Sequence, residues 1–523
     1  MARRGLAVGS TEGHDAGGPP PALMAEARRG RRPRLLNLEA AALLALVILI
    51  LYSLSTTVAD LDLWGYLAFG RLFWTQERFP YHDVFSYVPT LSPLVYHEWL
   101  TGVIFYPIFQ TLGAPGLQMF KFALGLAALG LVYLTARRRG AAPLPAAALL
   151  ASTLMVAGAG YGAVRAQVFT YAGFAATLYL LETARQSGQP RCLWWLAPIQ
   201  LVWCNLHGGF LAGLGLMLLY ALGEALSRRP YRPYLLGLLA AILATLVNPY
   251  GLQYWTYLAH AATMPRPEIL EWGSLWQGYR HGILPAPILL NFIALVTLTV
   301  TLAWWARWRE LTPALVLLVT LGLALNHTRH LVFFALSFGT YMPALLTAYF
   351  RAAPPRPGGR VRPPGRGRRL SALLMIAGTV FLTSHLIRRG PLDLKIPAGP
   401  PAADPGAVYY PVGAVDYLEQ QRLAGNLLVN FDWGEYCLWR LYPQCRVAVD
   451  GRYETVYPAD LTREYFDFLL ARPGWRTFLE RYPPDMILID IRSRLYGLLR
   501  HEPGWRQAYA DSGCVLLLRS QKR

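Results

Sequence analysis

The stretch LEAAALLALVILILYSLSTTVADLDLWGYLAFGR, residues 38–71, determines how the rest of the chain is arranged. Its first part, 38–57, is apolar and long enough to cross about 30 Å of hydrocarbon, and it lacks a small-residue cleavage site. We therefore expect an uncleaved membrane anchor. An acidic, aromatic segment follows at once, and carboxylates beside a membrane span indicate a polar site at the membrane surface.

The composition of the 523-residue chain is that of a membrane protein, because 54% of its residues are hydrophobic and only 15% are charged. The net charge of +19 comes from bases in short loops between apolar segments. The positive-inside rule explains that pattern, so we exclude nucleic-acid binding. Residues 1–35 combine Gly, Pro and Ala with Arg and predict a disordered basic cytoplasmic tail.

Apolar segments predict eleven transmembrane helices, with the N-terminus in the cytoplasm. Every basic loop between them, including the arginine-rich run at 351–369, then falls on the cytoplasmic side. The apolar segment 99–112 is too short to cross, so we place it in the outer interface. The predicted spans are 38–57, 115–136, 141–161, 167–184, 192–206, 209–226, 234–249, 284–305, 311–326, 331–349 and 370–387.

The predicted fold class is a polytopic α-helical membrane protein with a small C-terminal α/β extracytoplasmic domain. The membrane domain covers 36–387 and includes a first outer loop at 59–114. A proline-rich linker at 388–412, expected to be extended, leads to the exported domain at 413–523. Short apolar runs alternate there with helical stretches, which favours an α/β domain.

The exported domain has acids and an arginine at or just after predicted strand ends, where ligands of open α/β sheets bind. A turn with local ion pairs explains these residues equally well. They are Asp432, Glu435, Asp450, Arg452 and Glu454. Two cysteines of the same domain, Cys437 and Cys445, lie where oxidation can occur, but their spacing alone does not establish a disulfide.

Polar side chains gather at the predicted outer ends of the spans and not at mid-span. Ionisable groups near hydrocarbon cost about 2.5 to 3.5 kcal/mol each on insertion scales, so acids and bases at one rim should pair around a polar cavity. The candidates are Asp60, Asp62, Asp83, His97, Glu98, Arg165, Gln167, Asn205, His207, Glu271, His327, Arg329 and His330.

Several of these residues have two explanations. Asp60 and Asp62 point to one face of an extended loop, where they can share a divalent cation such as Mg²⁺ or Mn²⁺ or divide acid and base roles. A solvated loop, anchored at the membrane interface by its aromatic neighbours, explains these two aspartates equally well. Arg329 between two histidines fits a clamp for a substrate phosphate or an anchor for a lipid headgroup. Asn205 in NLHGG also fits an ordinary chain reversal.

The motifs DLDLWGYLAFGR, HDVFSY, HEWL, VRAQVFTY, WCNLHGGFLAG, NPYG and EW, with the D-x-D after the first span, resemble the GT-C superfamily of polyprenyl-phosphate-dependent glycosyltransferases. More narrowly, they resemble a group of bacterial membrane proteins of this type, over roughly residues 36–350. The resemblance implies an enzyme of the bacterial cytoplasmic membrane that moves a sugar from a lipid-linked donor to an acceptor on the extracytoplasmic face. The sequon-binding motif of oligosaccharyltransferases is missing, so donor and acceptor stay open.

Within that chemistry Asp60 or Asp62 takes the proton of the acceptor, and Arg165, His207 and Arg329 stabilise the departing lipid phosphate. Asp83 and Glu98 hold the acceptor or a metal ion, and the exported domain recognises the acceptor. The alternative is a transporter or flippase for a lipid-linked or anionic substrate, which predicts charges near mid-span. A non-catalytic assembly or sensor protein needs no carboxylate cluster.

Overall fold

A computed structural model describes the chain at residues 38–76, 79–264, 266, 268–352, 366–400 and 407–520. The predicted tail at 1–35 and most of the arginine-rich run at 351–369 lie outside these ranges. Among the described helices, five are long and apolar enough to cross a membrane. They are Trp99–Arg138, Gly208–Leu226, Ala286–Trp305, Thr328–Ala352 and Arg369–Arg388.

Helices make up most of the chain before residue 390, and each of the eleven segments predicted as spans overlaps one of them. Their bounds are α1 Leu38–Ser53, α2 Leu63–Gln76, α3 Trp99–Arg138, α4 Pro143–Tyr161, α5 Gln167–Ser187, α6 Leu196–Leu206, α7 Leu211–Leu226, α8 Arg232–Ala244, α9 Leu252–Thr263, α10 Leu275–Arg280, α11 Ala286–Trp305, α12 Leu311–Asn326, α13 Leu331–Ala352 and α14 Arg366–Arg388.

Helix α3 contains the segment 99–112 that was predicted to lie in the interface. The backbone leaves helical geometry at Gly113, with φ 61° and ψ −155°, and Pro115 follows. A residue with positive φ favours glycine, and proline lacks the amide that would continue the hydrogen-bond ladder. The first half of α3 is therefore a separate helical piece, joined to the long apolar half at this break.

The C-terminal unit, residues 407–520, is built around a five-stranded sheet with strand order β2-β1-β3-β5-β4. Strands β2, β1 and β3 are parallel, and β5 and β4 continue the sheet in antiparallel fashion. Their buried Leu, Ile and Val runs are typical of a sheet covered on both faces. The elements are α15 Val412–Gln420, β1 Gly425–Val429, α16 Gly434–Leu441, β2 Cys445–Val447, α17 Ala459–Leu469, α18 Arg476–Arg481, β3 Met486–Asp490, α19 Arg494–Leu499, β4 Trp505–Ala510 and β5 Cys514–Arg519.

The C-terminal unit packs directly on the loop between α2 and α3. Val447 donates its amide to Phe85 O at 3.0 Å and accepts from Tyr87 N at 3.1 Å, so Ser86 of the loop forms an isolated β-bridge at the edge of the sheet. Lys395, which precedes the unit, forms another isolated β-bridge with the segment after α1, where it exchanges hydrogen bonds with Thr57 and Ala59. The segment predicted as an extended tether thus contacts the membrane part at Lys395.

A set of buried charges lies at the C-terminal end of α5, about 30 Å along the helix axis from its first residue. Arg139 pairs with Glu182 at 2.7 Å and with Glu310 at 3.0 Å, and Arg185 pairs with Glu224 and Glu310 at 2.8 Å. Both arginine side chains are 5% exposed. These two arginines, predicted as loop bases, are therefore internal partners of acids on neighbouring helices; we call the five residues the inner network.

The cysteines of the C-terminal unit are buried and free. Cys437, Cys445 and Cys514 are each at most 1% exposed and form no disulfide in the structure. Burial raises the pKa of Cys437 well above its usual range, so this thiol stays protonated. The three thiols act as small apolar side chains in the core of the unit.

Candidate active site

The guanidinium of Arg165, in the turn between α4 and α5, draws together carboxylates from distant loops. Its Nη2 lies 2.7 Å from Asp62 Oδ2, its Nε 3.2 Å from Asp60 Oδ1 and its Nη1 3.0 Å from Glu271 Oε1. Asp60 and Asp62 end the loop after α1, and Glu271 belongs to the loop between α9 and α10. Three carboxylates around one arginine leave an excess of negative charge on this cluster.

Asp60 is held differently from Asp62. Its Oδ1 accepts from the amide of Asp62 at 3.1 Å, and its side chain is 15% exposed against 31% for Asp62. Burial raises the pKa of Asp60 to about 7, against the opposing effect of Arg165. A carboxylate with a pKa near neutrality suits a group that accepts a proton during turnover.

Glu98 and His207 form a second pair next to this cluster. His207 Nδ1 accepts from Gly209 N at 2.9 Å, so the ring proton is on Nε2, which lies 3.3 Å from Glu98 Oε1. Thr170 Oγ1 donates to the same Nδ1 at 2.7 Å and accepts from Trp203 Nε1 at 2.9 Å. The turn NLHGG therefore fixes one tautomer of His207, and burial lowers the pKa of this ring well below its usual range.

Glu98 is itself shielded from water, with a side chain that is 15% exposed. Burial and the charge of Asp62 raise its pKa to about 8. His97 Nε2 lies 3.6 Å from Glu98, and His97 Nδ1 lies 3.1 Å from the hydroxyl of Tyr257. Burial lowers the pKa of His97 to about 4, so both histidines beside Glu98 are neutral at pH 7.

Arg329 is a partly buried cation that has no ion-pair partner within 4 Å in the described part of the chain. Its guanidinium carbon lies 4.5 Å from the ring centroid of Trp272, and the guanidinium carbon of Arg266 lies at the same distance from this ring. Thr328 Oγ1 donates to Glu271 O at 3.0 Å, so the turn that carries Arg329 lies next to the Arg165 cluster. The charge of Arg329 acts to lower the pKa of Glu98, Glu271 and His207.

The residues around Arg329 fix its turn. His327 Nδ1 lies 2.7 Å from Trp272 O, and Thr328 N donates to Gly273 O at 3.1 Å. His330 Nδ1 and, at the start of α5, Gln167 Oε1 are buried and hydrogen-bonded to no described atom. Such buried polar atoms are uncommon in native structures and indicate positions where a ligand or water binds.

Two predicted site residues lie apart from these clusters. The side chain of Asp83 is 1% exposed, and it pairs with Arg452 and accepts from Ser86 N at 2.8 Å. Its carboxylate holds the loop on the C-terminal unit, and its predicted role in binding the acceptor or a metal ion stays a prediction. Asn205 accepts from Trp99 Nε1 at 2.9 Å and donates to Val247 O at 3.0 Å, which joins α3 and α6 to the turn after α8.

Glu435, predicted either at a ligand-binding strand end or in a turn with local ion pairs, reaches the Asp62 side of the site. Its Oε2 accepts from Gly65 N at 2.9 Å, and the residue is 5% exposed. Burial and the charge of Asp62 raise its pKa well above its usual range. Its position just after the carboxyl end of β1 was visible in the sequence; its approach to Gly65 was not, because the two residues are 370 positions apart.

The divalent cation predicted at Asp60 and Asp62 stays a prediction. Among the described residues, no three His, Cys, Asp or Glu side chains come together as a metal-ion site. Asp60 and Asp62 both lie beside the guanidinium of Arg165, which balances part of their negative charge.

No protein-family model matches this chain, and no curated protein matches its sequence. Solved structures do match the fold. The archaeal oligosaccharyltransferase AglB from Archaeoglobus fulgidus, in complex with an inhibitory peptide and a dolichol-phosphate, aligns with a TM-score of 0.53 at 12% identity, over 92% of this chain and 74% of that one. ArnT from Cupriavidus metallidurans bound to undecaprenyl phosphate gives 0.52 at 14% identity, over 92% and 98%.

The arabinofuranosyltransferase AftD from Mycobacteria gives a TM-score of 0.53 at 15% identity, over 93% of this chain and 40% of that one. All three proteins are GT-C superfamily glycosyltransferases. At sequence identities this low, the alignments compare the folds alone. The shared fold agrees with the family resemblance of the sequence motifs. The chain has the fold of the GT-C superfamily of membrane glycosyltransferases.

Proposed function

We propose that this protein is a membrane glycosyltransferase that moves a sugar from a polyprenyl-phosphate-linked donor to an acceptor on the extracytoplasmic face. The observation that carries the proposal is the meeting of Asp60 and Asp62 with Arg165 at one end of a helix bundle with the GT-C fold. Arg329, which has no ion-pair partner among the described residues, lies beside them. A proton acceptor and a cation for an anionic leaving group are what direct displacement at an anomeric carbon needs.

The carboxylates of the loop after α1 act on the acceptor. Asp62 is the more exposed of the two, and Arg165 binds only its Oδ2 at 2.7 Å, which leaves Oδ1 for the acceptor proton. Asp60, with its pKa raised by burial, is the neighbouring group through which that proton can leave. The acceptor oxygen then bonds to the anomeric carbon as the bond from this carbon to the phosphate breaks.

Arg329 stabilises the departing phosphate. An arginine without a carboxylate partner keeps its full charge and its hydrogen-bond donors for an anion. The neighbouring rings of His97 and His207 are neutral, so they add no positive charge to that of Arg329. Gln167 Oε1, a buried acceptor without a hydrogen-bond partner among the described residues, suits a hydroxyl of the donor sugar, and His330 Nδ1 is a further polar contact.

The lipid chain of the donor binds in an apolar groove beside Glu98 and His207. The groove has a volume of about 400 Å³. Trp99 directly follows Glu98 and Asn205 precedes His207 by two residues, so the groove opens next to the polar site. Its lining is Trp99, Leu100, Leu201, Val202, Asn205, Val247, Asn248 and Pro249.

In the membrane, the eleven predicted segments cross the bilayer, including apolar helices shorter than the five longest. The N-terminus and the inner network then lie on the cytoplasmic side of the bacterial inner membrane. The C-terminal unit lies on the extracytoplasmic side. Reporter fusions test this arrangement. Fusions after residue 62 and after residue 329 should report the same face, and opposite faces would contradict a shared site.

The direct test gives the purified protein in lipid nanodiscs a panel of polyprenyl-phosphate sugars with alcohol and peptide acceptors. Asp62→Asn and Arg329→Gln should each lower kcat at least 100-fold, the size found when a general base or a charge-stabilising donor is lost. Asp416→Asn, on the half-exposed face of α15, is the matched control. Transport of a labelled lipid-linked sugar across the bilayer without transfer would instead favour a flippase.

A further inference from the structure

Two carboxylates from opposite ends of the chain border one small space beside Gly451. A Cβ atom on Gly451 would lie 2.8 Å from Glu435 Oε1 and 3.6 Å from Asp62 Oδ1. The first distance is shorter than a carbon atom tolerates next to oxygen. Glycine at this position therefore keeps the space between the two carboxylates free of side-chain atoms.

Each carboxylate is held by one oxygen and presents the other to this space. Asp62 Oδ2 accepts from Arg165 Nη2 at 2.7 Å, and Oδ1 is the atom nearest Gly451. Glu435 Oε2 accepts from Gly65 N at 2.9 Å, and Oε1 is the atom nearest Gly451. A Cβ on Gly65 would lie 2.3 Å from Glu435 Oε2, so glycine is also needed there for this approach.

We propose that the acceptor hydroxyl of the reaction binds in this space, between Asp62 and Glu435, so that the C-terminal unit supplies half of the acceptor site. This inference rests on the transferase function proposed above. The acceptor hydroxyl donates to Asp62 Oδ1, and its oxygen accepts from the carboxyl of Glu435. During transfer the O–H bond breaks, the proton passes to Asp62, the oxygen bonds to the anomeric carbon, and the lipid phosphate leaves with the electrons of the broken C–O bond.

Glu435 suits the donating role because its surroundings keep it neutral. The carboxyl is almost fully buried and bound to a backbone amide, and the acids Asp62 and Asp450 face it. Burial first, and then these two charges, raise its pKa well above its usual range, although Arg452 opposes them. A carboxylic acid that keeps its proton at pH 7 can hold the acceptor oxygen without repelling Asp62.

The test measures acceptor and donor affinity separately in the full-length protein in nanodiscs. The acceptor KM is taken with the donor and acceptor pair that gives most turnover, and undecaprenyl phosphate binding is followed by tryptophan fluorescence. Gly451→Ala and Glu435→Leu should each raise the acceptor KM about tenfold or more, the size expected when a hydrogen bond in the site is lost. The Kd for undecaprenyl phosphate should stay within about twofold.

Glu435→Gln separates a neutral donor from an ionised carboxylate. The amide accepts from Gly65 N and donates to the acceptor oxygen, as protonated Glu435 does, so this variant should keep the acceptor KM of the wild type at pH 7. Gly497→Ala, with open space around its position, and Glu480→Gln, on an exposed side chain, are the matched controls. If Gly451→Ala unfolds at a lower temperature than the Gly497 control, the two Glu435 variants decide.

The failures of the inference and of the proposed function differ in outcome. Wild-type acceptor KM in Gly451→Ala and Glu435→Leu, with Asp62→Asn inactive, would overturn the inference and leave the transferase standing. Equal rises in acceptor KM and in undecaprenyl phosphate Kd would reduce Glu435 to a structural residue. Absence of transfer by the wild type to every acceptor would overturn both.

Discussion

Arg452 of the C-terminal unit and Asp83 of the loop between α2 and α3 form an ion pair whose side chains are 4% and 1% exposed. Asp450 completes the pair by binding Arg452 through both of its oxygens, at 2.8 and 2.7 Å. Buried charges of this kind are stable only while every partner is present. The loop that carries His97 and Glu98 is thereby fixed to the C-terminal unit.

Removing one partner of this pair should destabilise the whole protein. Asp83→Asn leaves the buried charge of Arg452 with Asp450 alone, and losses of about 3 to 5 kcal/mol are typical when a buried pair is broken. The measurement is thermal unfolding of the purified protein in detergent. Arg481→Gln removes one member of an exposed pair with Glu464 and serves as the control, with little expected change. Equal unfolding temperatures for the two variants would contradict a stabilising role of the Asp83–Arg452 pair.

Glu98 should make stability depend on pH. Its folded-state pKa of about 8 lies above the usual 4.5, so between these values the folded state holds a proton that the unfolded state has lost. The contribution of Glu98 to the free energy of unfolding therefore falls as pH rises from about 4.5 to about 8, by about 1.4 kcal/mol per pH unit. Denaturant unfolding of the wild type and Glu98→Gln at pH 5 to 8 measures it. Parallel stability curves would show that Glu98 has an ordinary pKa.

Filling the apolar groove should weaken donor binding without affecting the polar site. Val247→Trp places a large ring in the groove, and we expect the Kd for undecaprenyl phosphate to rise about tenfold, equivalent to about 1.4 kcal/mol. Val300→Trp on α11, where the valine is 62% exposed, is the matched control for an added tryptophan. Unchanged lipid affinity in Val247→Trp would place the carrier chain elsewhere.

The inner network should contribute stability but not specificity. Arg185→Met leaves Glu224 and part of Glu310 without their cation, in helices where unpaired charge is costly, so we expect a loss of about 3 kcal/mol or more. The unfolding temperature should fall while the acceptor KM of the remaining folded protein stays as in the wild type. A change in acceptor KM would instead indicate coupling between the two ends of α5.

The elements could be predicted because the information for them is local. A helix of the structure overlaps each of the eleven predicted spans. The alternation of short apolar runs with helical stretches after residue 413 indicates the small sheet. The Arg165 cluster was partly predictable for a similar reason, since ionisable residues next to apolar runs are rare and must find partners. Asp60, Asp62, Arg165 and Glu271 were therefore candidates before their contacts were known.

The amino-acid sequence by itself determined the membrane class, the helical segments and the acids and bases available for a site. Only the tertiary structure decided which of them meet. Asp83 pairs with Arg452, and Glu435 contacts Gly65, 370 positions away in the sequence. Arg139 and Arg185 are buried and pair with Glu182, Glu224 and Glu310. The physical reason is that hydropathy and periodicity act over a few residues, whereas ion pairing depends on distances that only the packed chain defines.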